Sequence, residues 1–322
     1  MNVTVIGSGA FGFSIAMMLR KNGNKVTMWT HCDKQKEIYN KGKAEIIPGV
    51  KIPKDISFTS SYKEALSKTN IVFIMVAAKY VSDVAKEIKP YVNNNMHFCI
   101  GSKGIEQGSC KFVHQIFKEH IKTTNVSIIS GPSFAIDVVN NEPIGFTIGG
   151  KNFKTRNEII KVLSSDTIKL RPSSDIVGVE ICGSIKNVIA VASGILEGLG
   201  YSESTRSFLI VESMHDIKEL IKGLGGRKKT ILSYAGIGDL LLTCTSTKSR
   251  NYSYGVYLGK KDYKGAEKYL KETTVEGYYT LKSIYTLLKR KKIKMPVIDL
   301  IYKIVMKNDD PCLLVKFLIT KK

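Results

Sequence analysis

Gly7, Gly9 and Gly12 fall in Gly7-Ser8-Gly9-Ala10-Phe11-Gly12, a G-x-G-x-x-G directly behind the strand-like run Val3-Thr4-Val5-Ile6. In that spacing the first glycine permits a tight turn and the second lets backbone approach a pyrophosphate. The third lets a helix pack closely on a strand. The helix that follows offers unpaired N–H groups and a positive dipole end to phosphates. A strand before, a helix after and a stop at Asn22-Gly23 distinguish a dinucleotide loop from an accidental glycine turn. At the end of the next strand, Met28-Trp29-Thr30-His31-Cys32-Asp33 puts His31 about where an acidic residue would select NAD, with Asp33 slightly beyond. That pattern leaves NAD and NADP both open, and His31 reads equally as a plain surface histidine.

Other chemistry-bearing residues follow further along. Ser102-Lys103-Gly104 and Gly131-Pro132-Ser133-Phe134-Ala135 each come just after a strand-like run, where doubly wound sheets hold ligands. Lys103 could equally be one lysine among many, and Gly-Pro-Ser a turn before a helix. Lys186, in a helical pattern, shares its face with Cys182, Gly183, Ile189 and Ala190. Burial there would favour the neutral amine, and a nearby cation such as Lys103 would push the same way, giving a group able to move a proton near neutral pH. The segment by itself reads rather as a lysine snorkelling its stem across apolar surface. Asp239, in Ala235-Gly236-Ile237-Gly238-Asp239-Leu240, could orient an ammonium or cap a helix. Ser249-Arg250-Asn251 offers a guanidinium fork for phosphate with two side chains to complete its hydrogen bonds. Glu276, in Thr273-Thr274-Val275-Glu276-Gly277, is a weaker candidate that also suits a helix first turn.

The elements that must position these groups change character along the chain. Strand-like runs at 3–6, 25–29, 71–76, 97–100, 126–130 and 144–148 alternate with amphipathic stretches at 14–20, 62–67 and 81–88. That alternation predicts a parallel, doubly wound Rossmann-like sheet covered on both faces. Beyond roughly Pro172 helical spacing takes over, in Val177, Ile181, Ile185, Val188, Ile189 and Ala192 and again at 205–223, 266–270 and 280–288. The expected organisation is α/β: a dinucleotide-binding domain over 1–172 and an all-helical substrate and catalytic domain over 173–322.

Length and composition fit an ordinary globular two-domain protein, with 43% apolar and 24% charged residues in 322. The six cysteines show no Cys-x-x-Cys pair and the histidines no cluster, which predicts reduced thiols, no metal and a cytoplasmic setting. No signal peptide is expected, and the apolar run 71–78 is too short to span a bilayer. The 49 Lys+Arg against 28 Asp+Glu give a net charge of +21, but they are spread evenly and accompany no nucleic-acid motif. The charge is therefore read as background that helps attract phosphorylated ligands, with no specific nucleic-acid partner.

Taken in order, these motifs make the chain resemble the bacterial NAD(P)-dependent glycerol-3-phosphate dehydrogenases nearly end to end. The resemblance implies interconversion of dihydroxyacetone phosphate and sn-glycerol 3-phosphate, feeding phospholipid synthesis, in a cytoplasmic enzyme that is commonly a homodimer. It implies that Lys186 is the proton acceptor, reversing the reading of its segment alone, and that Lys103 contacts cofactor and substrate. It matches Gly131, Ser133, Asp239, Ser249, Arg250 and Asn251 to substrate-binding positions. Ala10, Phe11, His31, Ala135, Arg250, Thr274 and Glu276 match cofactor contacts. Ala10 and Phe13 stand where small polar residues are frequent, Ser204 where Asn is, and Thr274 where an aliphatic is usual. None of these departures removes a proposed catalytic group. Two competing readings remain: another two-domain dehydrogenase of the 3-hydroxyacid type, and a non-catalytic NAD-binding protein.

Overall fold

Eight short strands form one sheet in the computed structural model, which describes residues 1–42 and 45–321. They are β1 (Asn2–Ile6), β2 (Lys25–Trp29), β3 (Ile56–Thr59), β4 (Ile71–Ile74), β5 (His97–Ile100), β6 (Val126–Ser130), β7 (Ile144–Gly149) and β8 (Ile168–Ser173). The order across the sheet is β3-β2-β1-β4-β5-β6-β7-β8. Every residue of β4, β5 and β6 is buried, as strands covered on both faces require. The sheet is mixed where the sequence predicts a parallel one, because β7 runs antiparallel to β6 and β8 then follows β7 in parallel. Two strands, β3 and β8, carry no sequence signal that identifies them, and both are edge strands. β8 is largely exposed and contains Pro172, which an edge tolerates.

The helices among the strands are α1 (Ala10–Lys21), α2 (Asp33–Asn40), α3 (Tyr62–Leu66), α4 (Val81–Ile88), α5 (Val113–Ile121), α6 (Ala135–Val139) and α7 (Phe153–Leu163). Phe13, Ile15, Leu19, Met28, Phe73 and Phe146 are fully buried in the core they share with the sheet. The chain divides into two compact units, the first made of Met1–Ser102 and Val113–Ile176.

The second unit takes in Lys103–Phe112 and Val177–Lys322. Its helices are α8 (Ile176–Gly198), α9 (Glu203–Gly223), α10 (Asp239–Thr245), α11 (Arg250–Gly259), α12 (Tyr263–Glu272), α13 (Glu276–Lys291), α14 (Pro296–Lys307) and α15 (Leu313–Thr320). By length and composition α8 could cross a membrane, yet 94% of its most apolar window is buried within the protein. It is the core helix of the second unit. Ile105, Cys110 and Phe112, from the inserted segment, are buried in the same core as Ile185, Val188 and Ile189 of α8.

α8 and α11 cross at backbone contact through two glycine pairs. A Cβ on Gly194 would lie 2.0 Å from the Tyr252 carbonyl oxygen, and one on Gly255 2.1 Å from that of Val191. One turn on, Gly198 meets Val256 and Gly259 meets Ile195 in the same way, at 2.4 and 2.2 Å. No side chain other than hydrogen fits this joint. It fixes the helix carrying Lys186 and Asn187 against the helix that begins at Arg250.

Candidate functional site

In the first unit the three loop glycines meet three different environments. Gly7 has φ +115°, and a Cβ there would sit 2.7 Å from the Met75 carbonyl oxygen. A Cβ on Gly12 would sit 2.2 Å from the Gly7 oxygen, so these two positions are closed by the protein itself. Around Gly9 a Cβ meets nothing within 4 Å. Gly9 is also the N-cap of α1, with no side chain capping the helix. The first-turn N–H groups therefore face open space beside a bare backbone, the arrangement a pyrophosphate needs.

That space belongs to a cleft of about 840 Å³ lined by the loop, by the ends of β2 and β4 and by α4. β1 and β4 are neighbours from which the chain leaves in opposite directions across the sheet, β2 lying to one side and β5 to the other. Doubly wound sheets hold ligands at such a switch point. One wall is aromatic: Trp29 stacks on Tyr62 at 4.3 Å and 12°, its indole N–H donating to the Ser60 carbonyl at 3.0 Å. At the β2 end, the Ser8 hydroxyl donates to Thr30 Oγ1 at 3.0 Å, and Thr30 donates to Gln35 Oε1 at 2.7 Å. Gly7, Gly9, Ala10 and His31 line the cleft, whereas Gly12 is buried beneath it. Phe11 is partly buried against the first unit's core. Glycine spacing, aromatic wall and neutral hydroxyl chain fit a nicotinamide dinucleotide.

Gly131 directly follows β6, where a Cβ would strike the Gly145 oxygen at 2.2 Å, and Ser133 donates back to the Gly131 carbonyl at 3.2 Å. Ala135 opens α6, with Phe134 as its N-cap. These three residues belong to the first unit.

The second unit gathers the ionisable groups. Asp239 is the first residue of α10, 1% exposed, and reaches both candidate lysines. Its Oδ1 accepts from Lys186 Nζ at 2.5 Å and its Oδ2 from Lys103 Nζ at 2.8 Å. Lys186 also donates to the Thr243 hydroxyl at 2.9 Å, and Thr243 donates to the Asp239 backbone oxygen at 2.6 Å. Asp239 and Thr243 lie four apart on α10, hence on one face. The turn at Gly236 delivers them: a Cβ there would lie 2.1 Å from the Ile231 oxygen, and its backbone (φ −86°, ψ −109°) is not helical.

Two lysines share one carboxylate in this buried place. Burial pushes the Lys186 amine down, the Asp239 charge pulls it back and Lys103 pushes it down again, bringing it to about 8. For Asp239 burial acts upward, but the two ammonium groups outweigh it and hold the carboxyl below its ordinary value. The cluster thus joins a permanent anion to a buried amine able to gain and lose a proton near neutral pH.

Beside it, Asn251 accepts the Gly277 N–H at 2.8 Å and donates to Asn187 Oδ1 at 3.0 Å. Ser249 caps α11 by accepting the Tyr252 N–H at 3.3 Å. Arg250 is exposed, with no ion pair among the described residues. Thr274 is exposed, and Glu276 opens α13 after its N-cap Val275. Lys103, Lys186 and Asp239 therefore form one bonded cluster, while Asn251 joins a neighbouring amide chain. Thr243, Asn187 and Gly277 were not selected from sequence as site residues. The four-residue spacing of Asp239 and Thr243 was the available signal for the first.

Comparison with known proteins identifies the family. The model for the N-terminus of NAD-dependent glycerol-3-phosphate dehydrogenase matches residues 2–156, and that for its C-terminus matches 175–316. The glycerol-3-phosphate dehydrogenase [NAD(P)+] of Thermoanaerobacter sp. (strain X514) is 35% identical, the match covering 100% of this chain and 97% of the relative. That of Fusobacterium nucleatum is 32% identical over 95% and 92%. The crystal structure of glycerol-3-phosphate dehydrogenase from Coxiella burnetii superposes with a TM-score of 0.92, at 28% identity and 99% coverage of both chains. With both family models matched in order over most of its length, the chain belongs to the NAD-dependent glycerol-3-phosphate dehydrogenase family.

Proposed function

We propose that the chain interconverts dihydroxyacetone phosphate and sn-glycerol 3-phosphate with NAD or NADP. The first unit binds the dinucleotide and the second carries the proton chemistry. The observation that bears most of this reading is the buried Lys186 amine, brought to about 8 and held by Asp239 and Thr243. When bound, the reduced nicotinamide supplies the hydride that the C2 carbonyl carbon accepts. Lys186 then donates its proton to the oxygen of C2, and in the reverse direction the neutral amine removes it. Lys103, as a second cation at the same carboxylate, stabilises negative charge developing on that oxygen. Asp239 holds both ammonium groups in place.

Arg250, exposed and without an ion pair among the described residues, takes the substrate phosphate. Ser249 and Asn251, fixed by their own hydrogen bonds, frame it. Gly131 and Ser133 as substrate contacts, and Phe11, Ala135, Thr274 and Glu276 as cofactor contacts, rest on the family pattern. We further propose a cytoplasmic homodimer supplying glycerol phosphate to phospholipid synthesis. Six free cysteines suit a reducing compartment.

The test is oxidation of NADH and NADPH at 340 nm with dihydroxyacetone phosphate, beside a 3-hydroxyacid panel run in the oxidative direction. Turnover with dihydroxyacetone phosphate is expected. Activity on a hydroxyacid alone would overturn the substrate, and silence throughout with dinucleotide still bound would favour a binding protein.

A further inference from the structure

The cleft at the glycine loop has the opposite charge to the protein around it. The chain carries 49 Lys+Arg against 28 Asp+Glu, yet the described residues lining this cleft include Glu45, Asp83 and Glu87 and no Lys or Arg. Among the lysines on flanking elements, Lys36 pairs with Asp33 at 2.9 Å, Lys86 with Asp83 at 3.6 Å, and the Lys79 ammonium lies 4.8 Å from the ring centroid of Tyr80, while the exposed Lys34 and Lys63 do not belong to the lining. Glu87 accepts the Tyr62 hydroxyl, Glu45 accepts the Gly49 N–H at 2.7 Å, and Asp83 pairs with Lys86 at 3.6 Å. At the end of β2, where a 2′-phosphate would sit, the polar groups lining the cleft are the neutral Ser8–Thr30–Gln35 chain and the exposed His31, with Asp33 and Lys34 opening α2 outside that lining.

We infer that this cleft selects the dinucleotide without a 2′-phosphate, so that NAD(H) is the working cofactor and NADP(H) is disfavoured by the carboxylates of Glu45, Asp83 and Glu87. This rests on the cleft being the dinucleotide site. A ribose diol is served by hydroxyl and amide partners. A 2′-phosphate, with a charge near −2, needs a guanidinium or ammonium, and the described lining offers three carboxylates instead. These carboxylates are exposed, so their effect is screened by salt with a Debye length of about 10 Å at 0.1 M.

The chain has one tryptophan, Trp29, and it lines this cleft. Its fluorescence therefore reports dinucleotide binding without substrate or turnover. Titration at low ionic strength should give a Kd for NADH at least tenfold below that for NADPH, the gap narrowing as salt rises. The triple variant Glu45→Gln/Asp83→Asn/Glu87→Gln should bring the two constants at least fivefold closer. His31→Arg should tighten NADPH relative to NADH, because it adds the missing fork. Equal or tighter binding of NADPH by the unaltered protein would overturn the selectivity while leaving the site intact. A gap unmoved by the triple variant would overturn the role of the carboxylates. No response to either dinucleotide would overturn the cleft as the cofactor site, and the selectivity with it.

Discussion

Replacing Lys186 with Met should sharply reduce turnover and stabilise the protein near neutral pH. The thioether keeps most of the stem's volume and removes only the ammonium. In the folded protein the amine is at about 8 against an ordinary 10.5, so folding disfavours its protonated form. At about 1.4 kcal/mol per tenfold change in proton affinity, that difference is on the order of 3 kcal/mol. The attraction of Asp239 is already included in it. Between pH 8 and 10.5 the unfolded chain binds more protons than the folded one, so stability from this group rises with pH across that window. Below pH 8 the whole penalty applies.

Losing Lys186 leaves no other buried group stranded. Asp239 keeps Lys103 at 2.8 Å, and Thr243 keeps the Asp239 backbone oxygen at 2.6 Å. The variant should therefore gain about 1–3 kcal/mol at pH 7, or roughly 1.5–4.5 °C in Tm for a protein of this size. It should gain nothing above pH 10.5, and kcat should fall by about 10²–10⁴. Thermal melts of parent and variant at pH 7 and pH 10.5 measure the gain, and other titrating groups cancel between them. A variant less stable than the parent at pH 7, or a gain that does not shrink by pH 10.5, would falsify the placement of Lys186 as a desolvated amine.

Two further outcomes follow from the second unit. Arg250→Ala should raise the KM for dihydroxyacetone phosphate about 10- to 100-fold, the worth of a charge-assisted hydrogen bond, and Arg250→Lys should recover little of it. An unchanged KM removes Arg250 from the phosphate site. Gly255→Ala drives a methyl to 2.1 Å from the Val191 carbonyl oxygen, so α8 and α11 must separate. A loss of at least about 1–3 kcal/mol, as overpacking costs, should appear in Tm, and a neutral result there would mean the crossing is looser than described.

Much of this was legible in sequence wherever the signal was local. Helix α4 and strands β5 and β6 begin and end where the residue pattern predicts, because each is a short apolar or amphipathic run with turns on both sides. Strand β8 was not legible: Lys169, Arg171 and Pro172 face outward on an edge, where no core imposes alternation. The glycine loop could be read because its three roles are encoded within six residues. The buried, bonded state of Lys186 could not be read from its own segment, since neighbours one turn away describe an apolar face. The groups that decide its protonation, Asp239 and Thr243, are 53 and 57 residues away. Only the resemblance suggested the role proposed for it, and the buried contacts with Asp239 and Thr243 are what that proposal rests on.

The same distance limit hides the glycine joint. Gly194 and Gly198 read as small residues in an apolar helix, and nothing near them indicates that Gly255 and Gly259 are their partners. The joint nevertheless bears on the chemistry. It places Asn187, next to the lysine proposed to carry the proton, close enough to bond Asn251, next to the arginine proposed for the phosphate. Asn251 in turn holds the Gly277 N–H, and a Cβ on Gly277 would lie 2.4 Å from the Asn187 carbonyl oxygen. The proposed proton transfer and the proposed phosphate capture thus share one packed contact, and a small change at a glycine there should disturb both. Below about pH 8 the cluster holds two ammonium groups for one carboxylate, a buried excess of one positive charge. A protein tolerates such an excess at a cost in stability, and an anionic substrate offsets it on binding.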